Sequence, residues 1–190
     1  MATVLSTLLF ALFSPIIIQL TYYLHPIVLV TVLVCLWGVV AFLILLIRGE
    51  SILVLYHRFV WFIIIYTVML LILLFFRPSN QTYSNFNLVP FSTVQFFLSG
   101  RVNLLISFYN LTANVVLFIP YGIYLLARKN KSSILSYFYL PFISISLIEC
   151  TQFMTHRGSL DIDDLLLNMI GVFLGYLCYP VFKRVIKLVY

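Results

Sequence analysis

Residues 148–171 read IECTQFMTHRGSLDIDDLLLNMIG and hold Glu149, Asp161, Asp163 and Asp164, four of the five acidic residues in the chain. Carboxylates gathered in this way have three kinds of chemistry open to them. A pair can act as general acid and general base. A set flanked by amides and a guanidinium can hold a polar or zwitterionic ligand through charge-assisted hydrogen bonds. A set with enough oxygens can coordinate a hard divalent cation. The run from Asp161 to Asp164 matches no EF-hand loop, so no metal is expected, and no motif calls for a cofactor. There is no GxSxG and no HExxH, which removes two common hydrolase signatures.

The spacing of these residues is helical. Asp161, Asp164, Asn168, Gly171 and Gly175 follow at intervals of 3, 4, 3 and 4, one stripe that is acidic at its start and small further along. Part of the stripe has a plain structural reading. Asp161 is a good N-cap, acids suit the first turn of a helix, and Gly171 with Gly175 forms a small-xxx-small packing pair. Neither capping nor packing accounts for Asn168. Glu149, Gln152 and His156 share a second face, and a carboxylate inside an apolar segment requires a partner, water or a ligand. Arg157, Arg77 and Asn168 are the structural partners open to Glu149. In the segment YNLTANVVLFIPYG, Asn114 needs a partner, with Asn168 or Glu149 the obvious ones. Pro120, ahead of Gly122, is expected to bend the helix or free a backbone carbonyl. In the polar loop, NLVPFSTV has turn residues at Asn87 and Pro90 around apolar Leu88, Val89 and Phe91, a segment suited to cap the bundle or to rest on lipid headgroups.

These side chains must be positioned by membrane helices. The 190-residue chain is 64% hydrophobic and 8% charged, whereas soluble domains carry about 25% charged residues. The apolar runs are continuous, which favours helices over a barrel. The fold expected is all-α, a polytopic membrane bundle of about six helices at roughly 3–24, 27–47, 58–76, 106–127, 133–155 and 163–182. The division expected is 1–52 for two N-terminal spans, 53–182 for the main membrane domain and 183–190 for a basic tail. Eight of the eleven basic residues fall in the loops after spans two, four and six, which by the positive-inside rule places both termini in the cytoplasm and the acidic cluster outside. The net charge of +6 is therefore a topology signal, and no nucleic-acid partner is expected. Cys35, Cys150 and Cys178 sit in apolar segments without disulfide or metal spacing.

The series NLVPF at 87–91, NVVLFIPYG at 114–122, IECTQF at 148–153 and RGSLDIDDLLLNMIG at 157–171 resembles the VanZ-like family over roughly residues 53–182. Tyr121 stands where phenylalanine is common in that family. The resemblance implies a bacterial, multi-pass plasma-membrane protein, and the family's founding member is associated with low-level teicoplanin resistance. Its motif positions fall here on Pro90, Asn114, Pro120, Gly122, Glu149, Gln152, Arg157, Asp161, Asp163, Asp164, Asn168 and Gly171.

Three functions follow as expectations. The first is a resistance or envelope factor whose outward polar site binds an amphiphile: a glycopeptide antibiotic, a lipid-linked wall precursor or a membrane lipid. The second is an intramembrane enzyme pairing Glu149 with Asp163 or Asp164 on a lipid-linked substrate. The third is a transporter or structural subunit, for which repeats and midplane polar residues are missing.

Overall fold

The computed structural model describes residues 4–5, 7–9, 11–13, 15, 26–75, 86–101, 103–128 and 133–190. They form two compact units, Met1–Leu55 with Val181–Val189, and Tyr56–Pro180 with Tyr190.

In the first unit, helix α1 (Pro26–Arg48) begins on a proline, whose missing N–H costs nothing in a first helical turn. It ends in a Schellman turn. Gly49 adopts φ +66°, its N–H reaches the Leu46 carbonyl at 3.2 Å, and the Glu50 N–H reaches Leu45 at 3.0 Å. Strand β1 (Ile52–Leu55) then pairs in parallel with a C-terminal strand, β4 (Ile186–Val189), in the register Ile52↔Ile186 to Leu55↔Val189. The basic end of the chain, expected as a tail, is thus partly a strand.

The second unit contains helices α2 (Tyr56–Phe75), α3 (Ser92–Leu98), α4 (Leu104–Val116), α5 (Ile119–Ala127) and α6 (Ile134–Met154). It also contains most of α7 (Ile162–Val185) and a short parallel pairing of β2 (Phe86–Asn87) with β3 (Leu160–Asp161). Its core is Leu70, Leu74, Phe118, Leu125, Ile145, Met169 and Val172. The outward faces are apolar as well: Trp61, Phe62, Ile65, Leu147 and Leu177 are all exposed, as expected of helices solvated by lipid. Four helical segments are long and apolar enough to cross a bilayer: Tyr56–Phe75, Ser107–Ala127, Ile134–Met154 and Ile162–Val185. The sequence predicts about six. The expected span at 3–24 lies mostly outside the described residues. That at 27–47 coincides with α1, whose side chains are described from Trp37 onward.

The fourth expected span is broken rather than continuous. Pro120 has no N–H to donate, and α4 ends at Val116 while α5 begins at Ile119. The Tyr121 N–H turns to Phe118, which leaves the Leu117 carbonyl outside the helical ladder; the Tyr66 hydroxyl donates to that carbonyl at 2.8 Å. The Tyr121 hydroxyl donates to Thr67 Oγ1 at 3.1 Å. Around the break, α7 comes as close as backbone allows. A Cβ on Gly171 would overlap the Val115 carbonyl oxygen, one on Gly175 that of Ile119, and one on Gly122 that of Val172. Each contact exists only because the side chain is a hydrogen atom.

At one end of this unit the Tyr190 hydroxyl donates to the Ala127 carbonyl at 2.5 Å, and its ring stacks on Tyr56 at 4.9 Å. The turn between α6 and α7 lies at the opposite end of those helices, and there the acids collect.

Candidate functional site

Helix α7 opens on Asp161, and the four acids divide at that point into two groups with different work. Asp161 is the N-cap: its Oδ1 accepts the Asp163 N–H at 2.9 Å. The same carboxylate accepts Thr93 Oγ1 at 2.5 Å and Asn87 Nδ2 at 3.3 Å. Asp163 is fully buried and accepts three backbone N–H groups, from Phe91 at 2.5 Å, Thr93 at 2.8 Å and Val94 at 3.1 Å. These donors are orphans of the α3 N-terminus, where a carboxylate also meets the positive end of the helix dipole. Val89-Pro90-Phe91-Ser92 forms the turn ahead of α3, with Phe91 at φ 65° in a place that usually falls to glycine. Asn87 Oδ1 accepts the Val89 N–H at 3.2 Å. Together with the β2–β3 pairing, Asp161 and Asp163 fasten the 86–98 segment onto the start of α7. Pro90 lies in the exposed turn, with no place in the cavity described below.

The second group is Glu149 and Asp164. Glu149 is buried on α6, and its Oε1 accepts Asn168 Nδ2 from α7 at 3.2 Å. Asp164 is half-buried, and its Oδ1 accepts Asn114 Nδ2 from α4 at 2.5 Å. Gln152, one turn after Glu149, donates from Nε2 to the Leu74 carbonyl at 3.2 Å, satisfying an acceptor in the last turn of α2. Amide side chains therefore tie α4 and α6 to α7, and α6 to α2. Glu149, Gln152, Asp164, Asn168 and Asn114 line one cavity of about 20 Å³, with Leu74 and Phe118 on its apolar side. That is room for about one water molecule. The Oδ1 of Asn168 is buried and has no hydrogen-bond partner among the described residues.

Of the two basic residues expected beside these acids, Arg77 lies outside the described residues and Arg157 is turned away. After α6 the chain makes a Schellman turn: His156 takes φ 54° and donates to Phe153 at 3.1 Å, and the Arg157 N–H donates to Gln152 at 2.9 Å. That turn leaves His156 and Arg157 exposed, and among the described residues the Arg157 guanidinium pairs with none of the acids. Gly158 follows, buried and close-packed: a Cβ there would lie 3.1 Å from the Gln152 Cβ. No described group of three or more His, Cys, Asp or Glu gathers as a metal site. Residues that spacing alone did not single out are Thr93, which serves both anchoring acids, and Ser159, at the cavity edge. The only signal for Thr93 was its place two residues after VPF.

A bundle of membrane helices locked by glycine contacts, with an acid–amide network at one end and a loop docked on the start of α7, defines a polytopic helical membrane protein. The family model described as VanZ/LLP1 matches residues 61–183, and the chain belongs to that family. No curated protein and no solved structure matches the chain.

Proposed function

We propose that this protein protects the bacterial cell envelope, contributing to resistance against teicoplanin-type glycopeptides or to envelope homeostasis, by engaging the polar head of an amphiphile at the Glu149–Asp164 cavity. The observation that carries the reading is the division of labour among the acids. Asp161 and Asp163 hold the 86–98 segment, and Glu149 and Asp164, each bonded to an asparagine amide, line a cavity of about 20 Å³. Beside it the docked turn keeps Leu88, Val89 and Phe91 about 60% exposed, an apolar surface on which the rest of an amphiphile, or membrane lipid, can rest. In this reading the protein sits in the plasma membrane with six spans and both termini cytoplasmic. Residues 1–52 supply two spans, 53–182 form the VanZ-like domain and 183–190 are a basic cytoplasmic end. The acid network then faces outward.

A second reading, an intramembrane enzyme, is favoured by one feature: both carboxylates border a cavity with room for a single water, an arrangement suited to acid–base hydrolysis of a lipid-linked substrate. The test is drug susceptibility in a Gram-positive host, with membrane levels matched, comparing wild type with Glu149→Gln, Asp164→Asn and Arg157→Ala. Teicoplanin is run beside vancomycin, which lacks the lipid tail. Protection against teicoplanin that is lost in the Glu149 and Asp164 variants supports the site; absence of protection by well-expressed wild type refutes the resistance role in that host. Glu149→Gln keeps shape and hydrogen-bonding capacity, so a folded variant that binds lipid-linked precursor but no longer turns it over favours the enzyme.

A further inference from the structure

Each strand of the β1–β4 pair joins a candidate membrane span without a linker. β4 begins at Ile186, directly after the helix that ends at Val185, and β1 ends at Leu55, directly before the helix that begins at Tyr56. Four residues of strand reach at most about 13 Å, so neither strand can go far beyond the headgroup layer of the bilayer. The parallel register sorts the side chains onto two faces. Ile52, Val54, Ile186 and Leu188 share one, and three of these four are half-buried. Leu53, Leu55, Lys187 and Val189 share the other, and all four are exposed, Leu53 at 74%.

Three apolar side chains around one cation is the pattern of a segment that lies in the membrane interface, with its apolar groups at the acyl boundary and its cation at the phosphates. The surrounding charge agrees. Lys183 and Arg184 are exposed in the last turn of α7. The helix dipole accounts for basic residues at that place but not for Lys187, which lies beyond the helix. Glu50, the only acid in residues 1–55 and 181–189, lies beside Arg48 at 3.8 Å. Lys187 is two residues past the span, a distance of about 7 Å, and the Debye length at physiological salt is about 8 Å, so the field of an anionic leaflet reaches it.

We propose that this face of the β1–β4 pair is a docking surface for anionic phospholipid headgroups. Leu53, Leu55 and Val189 rest at the boundary between headgroups and acyl chains, and Lys187, Lys183 and Arg184 pair with the phosphates. The strand pairing makes the site, because it brings the segment after α1 beside the segment after α7. The surface lies at the opposite end of α7 from the acid network and does not rest on the protective role above.

The experiment has two arms, both on the full-length protein. In the first, Cys35, Cys150 and Cys178 are replaced by alanine, and single cysteines are introduced as Leu53→Cys, Val54→Cys, Leu188→Cys and Val189→Cys. Each carries a bimane label in nanodiscs of phosphatidylglycerol with brominated chains. Quenching is expected at 53 and 189 and is expected to be lost or much weaker at 54 and 188. In the second, phosphatidylglycerol or phosphatidylcholine is titrated into the protein in a non-ionic detergent and bound lipid is counted by native mass spectrometry. Each Lys or Arg near an anionic surface is worth about fivefold in affinity, so replacing Lys183, Arg184 and Lys187 together by glutamine is expected to weaken phosphatidylglycerol binding by on the order of 100-fold. Phosphatidylcholine binding is expected to stay as it is, and Arg101→Gln, an exposed cation outside this unit, to change neither. If the triple variant does not fold, Lys187→Gln alone is expected to show the fivefold loss. Equal quenching on both faces, quenching at neither, or a phosphatidylglycerol preference that survives the loss of the cations overturns the proposal. Quenching at neither face together with a dimer mass assigns the surface to a second copy of the chain instead.

Discussion

Asp163→Ala is the perturbation with the largest effect expected from a single contact set. The carboxylate accepts the N–H groups of Phe91, Thr93 and Val94 at 2.5–3.1 Å and is fully buried. Hydrogen bonds to a charged group contribute about 1.5–3 kcal/mol each, so three of them bound the loss at about 4.5–9 kcal/mol. The full sum does not apply. Pro90 and Phe91 are exposed, so water reaches part of the released backbone, and the β2–β3 pairing and the Thr93–Asp161 bond stay in place. A net loss of about 3–4 kcal/mol in the local opening free energy of residues 86–98 is expected. That corresponds to roughly 10²–10³-fold less protection of the Phe91, Thr93 and Val94 amides. Hydrogen exchange followed by mass spectrometry on peptides spanning 86–98 measures it directly. Asp163→Asn, which keeps one carbonyl acceptor but presents an NH₂ to the remaining donors, is expected to lose about half as much. Unchanged exchange at 91–94 in Asp163→Ala, in a protein that otherwise keeps its helices, would show that the segment is held by something other than this carboxylate.

The remaining predictions concern the bundle and its break. Gly175→Val is expected to destabilise by more than about 3 kcal/mol, since the new side chain meets the Ile119 carbonyl oxygen and the Gly122 backbone rather than a movable side-chain tip; gel-filtration yield and thermal midpoint in detergent report it. Gly38→Ala, with nothing within 4 Å of the added Cβ, is expected to be neutral or stabilising by up to about 1 kcal/mol in the same assay. Tyr66→Phe removes the donor to the Leu117 carbonyl and is expected to cost about 1 kcal/mol, seen as a small drop in midpoint. Arg157→Ala is expected to leave the midpoint within about 0.5 kcal/mol of wild type, because the side chain is exposed and pairs with none of the described acids.

The spans from Tyr56 to Val185 were legible in the sequence because charges and prolines mark their ends, and the N-cap at Asp161 followed from residue type and place. The Asn168–Glu149 contact was also within reach, as two polar groups on facing helices inside an apolar run. The roles of the neighbouring acids were not. Helical periodicity put Asp161 and Asp164 on one stripe and left Asp163 off it, yet Asp163 is the most buried of the three. Its partners are backbone amides, which every residue carries, so no side-chain pattern announces them. Arg157 misled for a related reason. Its sign suited the acids, but the Schellman turn at His156 sets its direction, and a positive φ at a histidine is not written in the spacing. The break at 117–118 was foreshadowed by Pro120, whereas the hydroxyl that satisfies the freed carbonyl comes from Tyr66, 51 residues away, and only the fold reveals it.

The anchoring of the 86–98 segment also sets an order of events during biogenesis. Its amide donors precede their acceptor, Asp163, by 69 to 72 residues. At about 5–20 residues per second of synthesis, the segment waits roughly 4–14 s with those amides bonded only to solvent. Docking therefore comes after the next two candidate spans have been synthesised, and it joins the segment ahead of them to the start of α7. A nascent chain stalled before residue 161 would carry its earlier helices but an undocked segment, so resistance of residues 86–98 to an added protease is a time stamp for completion of the bundle.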